Sequence, residues 1–144
     1  LPDLEAFIFH ESCRSISRLD PFVRDNYKLS VNITGDSLKY ATLEQTIQQS
    51  VDEFHIRPEK LWIEITEQDA MASTPRVMEK LIRLRDSGHR LLIDDFGMGH
   101  TSITYLKTNL CSVVKLDGSI TRNVLGDGNS QEIIASLASL SKSL

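Results

Sequence analysis

From Lys28 to Thr34 apolar and polar residues alternate, Leu29, Val31 and Ile33 against Ser30, Asn32 and Thr34, a period of two that predicts a strand. Leu43, Ile47, Val51 and Phe54 then follow at helical spacing, and Arg57-Pro58 ends that helix because proline disfavours helical geometry in its predecessor. Leu61 to Thr66 alternates again, with Leu61, Ile63 and Ile65 on one face and Trp62, Glu64 and Thr66 on the other. Thr74-Pro75 reads as N-cap and first helical position, Val77, Leu81 and Leu84 form the stripe, and Gly88 closes the helix. Arg90 to Asp95 is almost continuously apolar before its acids, as in a parallel strand covered on both faces. After a glycine turn and a short helix around Ile103 to Lys107, Cys111 to Asp117 sets Val113, Lys115 and Asp117 on one face and Val114 and Leu116 on the other. Helices are also predicted at the two ends. Leu4, Phe7, Ile8, Ile16 and Leu19 share one face of the first; Ile133, Leu137, Leu140 and Leu144 form the stripe of the last, with Ser130 as its cap.

Strands separated by helices imply right-handed βαβ units and a parallel sheet, either doubly wound or closed into a barrel. Every strand carries an ionisable or amide group near its C-terminal end, which in a (β/α)₈ barrel is the active-site rim. The expected fold is therefore α/β, a partial (β/α) TIM-type barrel of about four consecutive βα units. No linker or low-complexity tract divides the 144 residues.

Composition narrows the function classes. With 40% hydrophobic and 25% charged residues, the chain is neither a disordered segment nor a disulfide scaffold. No stretch approaches the roughly 18 apolar residues of a membrane helix, so no membrane contact is expected of this segment. Cys13 and Cys111 belong to no CxxC pair and read as free thiols in a reducing, cytoplasmic setting. A net charge of −4 argues against binding polymeric nucleic acid. His10, His55 and His89 fall in helices or turns and are expected at the surface; His100 lies near the acidic pair, where it would touch solvent or substrate.

The candidate chemistry lies at the strand ends. Asn32, Glu64, Asp94, Asp95, Lys115 and Asp117 offer an amide oxygen, four carboxylates and an ammonium on one rim, and hard oxygen ligands suit Mg²⁺ or Mn²⁺. Adjacent Asp94 and Asp95 point different ways, so one can bridge two ions while the other serves the second, as a two-metal phosphoester hydrolase requires. Plainer roles stay open. A lone asparagine at a strand end also serves a loop backbone, and Glu64 or Asp94 alone could be a cap or half of a salt bridge. Lys115, within an apolar strand, needs a carboxylate partner, for which Asp117 is the nearest candidate in sequence.

Several segments, in order, resemble the EAL family of cyclic di-GMP phosphodiesterases: VNIT at Val31 to Thr34, EITE at Glu64 to Glu67, DDFGMGHTS at Asp94 to Ser102, YLK at Tyr105 to Lys107 and VKLD at Val114 to Asp117. The resemblance implies that Asn32, Glu64 and Asp94 bind a first metal, that Asp94 bridges, and that Asp95 binds the second. It also implies that Glu67 braces the loop after the DDFG strand, that Lys115 contacts the nucleophilic water, and that Asp117 supports Lys115 or the site. The implied reaction opens cyclic di-GMP to the linear dinucleotide pGpG, with two Mg²⁺ or Mn²⁺ ions; no residue is singled out for binding guanine. Met98 stands at the family's usual threonine position and His100 at its usual tyrosine. No Glu-Ala-Leu tripeptide precedes Asn32, and no AEGVE-like segment follows. Residues 1–144 are therefore expected to be a partial EAL domain, without the Glu-Ala-Leu strand and the C-terminal strands, and inactive alone. Its unpaired edge strands would favour homo-oligomers or docking with the missing half. Two alternatives stand beside the hydrolase: a catalytically degenerate EAL domain acting as a cyclic di-GMP receptor or regulatory module, and a different metal-dependent barrel enzyme with Lys115 as base.

Overall fold

The computed structural model describes residues 2–97, 109–122 and 124–143. Helix α1 (Pro2–Ser17) and the short α2 (Pro21–Asn26) precede β1 (Leu29–Asn32). Helix α3 (Ala41–Glu53) leads to β2 (Leu61–Thr66), and α4 (Glu67–Met71) with α5 (Pro75–Asp86) to β3 (Arg90–Phe96). Strand β4 (Val113–Leu116), α6 (Gly118–Thr121) and α7 (Gly128–Ser143) complete the described chain. The strands form one parallel sheet in the order β1-β2-β3-β4.

The sheet's two faces differ. Phe9, Cys13 and Ile16 of α1, Leu43, Ile47 and Val51 of α3, and Val77, Leu81 and Leu84 of α5 join Val31, Ile33, Leu61, Ile63, Ile65 and Leu91 in a single apolar core. That core lies on one side of the sheet. A doubly wound sheet would bury both faces under helices; here the polar strand residues share the opposite side, the arrangement of a barrel wall.

Local signals explain most boundaries. Thr74 caps α5 by accepting the Val77 N–H at 3.4 Å, Pro75 occupies its first turn, and Gly88 takes φ +103° behind it. Asp20-Pro21, a cap and first-turn pair, starts α2, which the apolar pattern did not announce. Helix α3 stops at Glu53 rather than at Arg57-Pro58, because His55 turns the chain out with φ +50°.

Three expectations about packing are corrected. In α1 the buried stripe is Phe9, Cys13 and Ile16, while Leu4, Phe7, Ile8 and Leu19 are exposed; the segment has two apolar faces, and α3 covers the other one. In α7, Ile133 is exposed and Ile134 and Leu137 face β4; Asp127, accepting from the Asn129 and Ser130 amides, stands in the capping role expected of Ser130. The Leu140 side chain, Leu144 and the helix expected around Ile103 to Lys107 lie outside the described residues. His89 is buried, 2% exposed, with Nδ1 3.3 Å from the Leu61 carbonyl oxygen. Gly88 turns it inward beneath β2, which its place in a turn did not reveal. His10 is half-buried against Phe54, and His55 is exposed.

Candidate metal and catalytic site

The register brings the polar residues of the strands to one face. Asn32 is level with Glu64, and Thr66 with Asp94. Between β3 and β4 the pairing runs Ile93 to Val114 and then Phe96 to Leu116, so Asp94 and Asp95 together stand opposite Lys115. This is a bulge, uncommon in parallel sheets, and Asp95 takes the left-handed φ of +54°. Simple alternation would send Asp95 to the helix side and Phe96 to the polar side. The bulge instead leaves Asp95 exposed and Phe96 buried.

Glu64 is the centre of the cluster. Its side chain is 1% exposed, and Lys115 Nζ donates to its Oε1 while Ser30 Oγ donates to Oε2 at 2.7 Å. The lysine's partner is thus Glu64, 51 residues away in sequence, and not Asp117. Burial opposes ionisation of Glu64, but hydrogen bonds with Lys115, Ser30 and Asp94 and the lysine charge outweigh it and hold the carboxyl below the usual carboxylate range. Asp94 moves the opposite way. Burial and the hydrogen bond to Glu64 push it up, against the Asp95 backbone and Lys115.

Two further acids act on backbone. Glu67, buried at the start of α4, accepts the Gly97 N–H at Oε2 over 2.9 Å, tying β2 to the turn that follows β3. Gly97 has φ +101°, and Ile120 leaves no room there for a Cβ. Asp117 caps α6, accepting the Ser119 N–H at 2.6 Å, and the hydrogen bonds from Ser119 lower its pKa. Met98, His100 and the Thr101 to Lys107 stretch lie outside the described residues. Ser30 was not singled out from the sequence, although its place two residues before Asn32 puts it on the same face.

The donor set suits a hard divalent cation in kind: two adjoining carboxyls, with an amide at the same level of the sheet. Among the described residues no three His, Cys, Asp or Glu side chains converge as a ready metal cage. The strands' C-terminal ends thus hold the adjoining Glu64 and Asp94 carboxyls, the exposed Asp95, an ammonium and an exposed amide.

The sequence matches the EAL domain family over residues 1–144. The chain belongs to the EAL-domain family. Among its relatives is the cyclic di-GMP phosphodiesterase RocR of Pseudomonas aeruginosa, 31% identical over 116 residues, covering 81% of this chain and 30% of RocR. This EAL chain spans smaller shares still, 17%, 16% and 18%, of three other curated relatives. The fold agrees with that of the MucR phosphodiesterase of Pseudomonas aeruginosa in its c-di-GMP complex, with a TM-score of 0.84 at 23% identity, over 98% of this chain and 57% of that one. It also agrees with Klebsiella pneumoniae BlrP1 in a manganese and c-di-GMP complex, with a TM-score of 0.82 at 23% identity, over 98% and 36% of the two chains. The architecture is therefore that of the TIM-barrel type, seen here as a four-stranded wall. Among the described residues no helix is long and apolar enough to cross a membrane.

Proposed function

We propose that this EAL chain carries the metal-binding wall of a cyclic di-GMP phosphodiesterase, with Lys115 beside it to orient the attacking water. The observation that carries the reading is Glu64: a carboxylate 1% exposed at the C-terminal half of its strand, joined to Asp94 and Lys115 from the strands alongside. Burying that charge for structure alone is costly, because an apolar side chain of similar volume would fill the place at no desolvation penalty. The named activity of RocR and the c-di-GMP bound to MucR and BlrP1 supply the substrate class.

In this reading Asn32, Glu64 and Asp94 would hold one divalent ion, Mg²⁺ or Mn²⁺, and Asp94 and Asp95 would serve a second. Such ions, when bound, make water nucleophilic near neutral pH and neutralise charge on the phosphoryl oxygens during an in-line displacement. The chain's own residues do the rest. Lys115 turns its ammonium from Glu64 toward the attacking water or a phosphoryl oxygen, and Glu67 holds the Gly97 turn so that Asp94 and Asp95 keep their places. Asp117 acts at one remove, by fixing the start of α6 against that turn. Among the described residues β1 and β4 pair on one side only, and strands of a complete barrel would join the sheet there.

The test is chromatographic detection of the linear dinucleotide from cyclic di-GMP with Mn²⁺ or Mg²⁺, using the full-length protein. Multiple turnover is expected. Tight binding of cyclic di-GMP without product would replace the hydrolase with a receptor, and neither binding nor turnover would overturn the substrate assignment.

A further inference from the structure

Ser30 sits on β1 in register with Trp62, two residues before Asn32, and its hydroxyl reaches diagonally to Glu64 Oε2 at 2.7 Å. Lys115 meets the other carboxylate oxygen from β4, two strands away on the opposite side. A glutamate with several rotatable bonds, buried and anchored at both oxygens, has the plane of its carboxylate set by those anchors. The two anchors are not equivalent. In the function proposed above Lys115 must leave Glu64 to reach water or phosphate, whereas the Ser30 bond can persist, since each carboxylate oxygen retains a second lone pair.

We infer that Ser30 is a positioning residue that holds Glu64 Oε2 and so presents Oε1 to a divalent cation, a role that rests on the function proposed above. The hydroxyl does not touch the reacting atoms. It stops the carboxylate from rotating when the lysine departs, so its loss is felt in the affinity for the ion more than in the chemical step. Partners that orient a metal ligand typically contribute about 10- to 100-fold in affinity or activity. Threonine, which keeps the hydroxyl and favours a strand, should substitute for serine here.

The experiment compares wild type, Ser30→Ala and Ser30→Thr in the full-length protein, reading free Mn²⁺ by electron paramagnetic resonance, thermal stability, and turnover against Mn²⁺ concentration. Ser30→Ala is expected to weaken Mn²⁺ binding by about 10-fold or more. Its melting temperature should stay near that of wild type, with most of kcat regained at saturating Mn²⁺. Ser30→Thr should bind Mn²⁺ within about 3-fold of wild type, well short of the loss expected for a missing second partner. An unchanged Mn²⁺ affinity in Ser30→Ala overturns the inference, whether or not stability falls. So does a stable Ser30→Thr as weak as the alanine variant, or a kcat deficit in Ser30→Ala that saturating Mn²⁺ does not repair. Wild type that binds no Mn²⁺ overturns this inference and the metal-dependent function together. Wild type that binds Mn²⁺ with the predicted Ser30 dependence but leaves cyclic di-GMP intact removes the hydrolase reading alone.

Discussion

On the helix side of β2, Leu61, Ile63 and Ile65 are nearly inaccessible and belong to the apolar core; one residue along, on the other side, Glu64 is just as buried but is held by Ser30, Lys115 and Asp94. The two faces bury to the same depth for opposite reasons. Apolar burial on the helix side stabilises the fold, at about 25 cal/mol per Å² removed from water. Burial of Glu64 works against stability unless its partners compensate, and it leaves a charged group primed for a cation. Neighbouring residues of one strand thus divide stability from chemistry, and substitutions can test how clean that division is.

The largest effect should come from Glu64→Gln in the full-length protein. Shape is kept while the charge facing Lys115 and Asp94 is lost, so turnover should fall by more than about 100-fold, beyond the usual cost of a lost supporting partner. Cyclic di-GMP binding should fall much less, as measured by calorimetry. Near-normal turnover in Mg²⁺ would show that Glu64 is not a ligand. On the other face, Ile63→Ala should cost about 2–5 kcal/mol in chemical denaturation, since Ile63 is fully buried. Under native conditions the folded fraction should retain most of its kcat. A collapse of kcat without loss of stability would show that the two faces are not separable.

His89 sharpens the comparison, being a titratable group on the core side. Burial lowers its pKa, although hydrogen bonds to the Leu61 and Pro58 backbone carbonyls oppose the shift. A histidine with a lowered folded pKa is stabilising when neutral. Its contribution is present above the unfolded value, near 6.5, and is lost as pH falls below it, because the unfolded chain then binds the proton more readily. The melting temperature of wild type should therefore drop between about pH 7.5 and 5.5, and His89→Gln should show a smaller drop over that window. An identical pH dependence in the two proteins would place the titration elsewhere. The smallest effect is expected from Thr74→Ala, which removes a cap made through a long hydrogen bond. It should cost about 0.5 kcal/mol, at the low end for such caps, and leave turnover unchanged.

Much of this was legible in the sequence because it is local. The alternation at Leu61 to Thr66 and the Thr74-Pro75 cap gave those elements their limits, and the order of the EITE, DDFG and KLD segments pointed to the family. What was not legible depends on contacts across strands. Lys115 pairs with Glu64 rather than Asp117 because two strands, at roughly 4.8 Å per step, can be bridged only by two long extended side chains, a match that spacing within β4 does not encode. Asp117 is instead taken by the helix that begins immediately after it. The α1 stripe is not legible because both of its faces are apolar and nothing local says which one α3 covers. The burial of His89 is not legible either, because a residue beside a glycine turn usually faces solvent.

The bulge at Asp94 and Asp95 makes this wall sensitive to chain length as well as to side-chain identity. Two consecutive acids can end a strand here only because the extra residue resets the alternation, returning Phe96 to the core opposite Leu116. Deleting Asp95 would do more than remove one carboxylate. It would restore the plain two-residue period, with Phe96 still opposite Leu116 on the core side but Asp94 alone opposite Lys115, and no place left at the strand end for a second acid. For sequence change at this point, the length of the strand end decides whether a second acid has a place at all, and the residue type decides only what fills it.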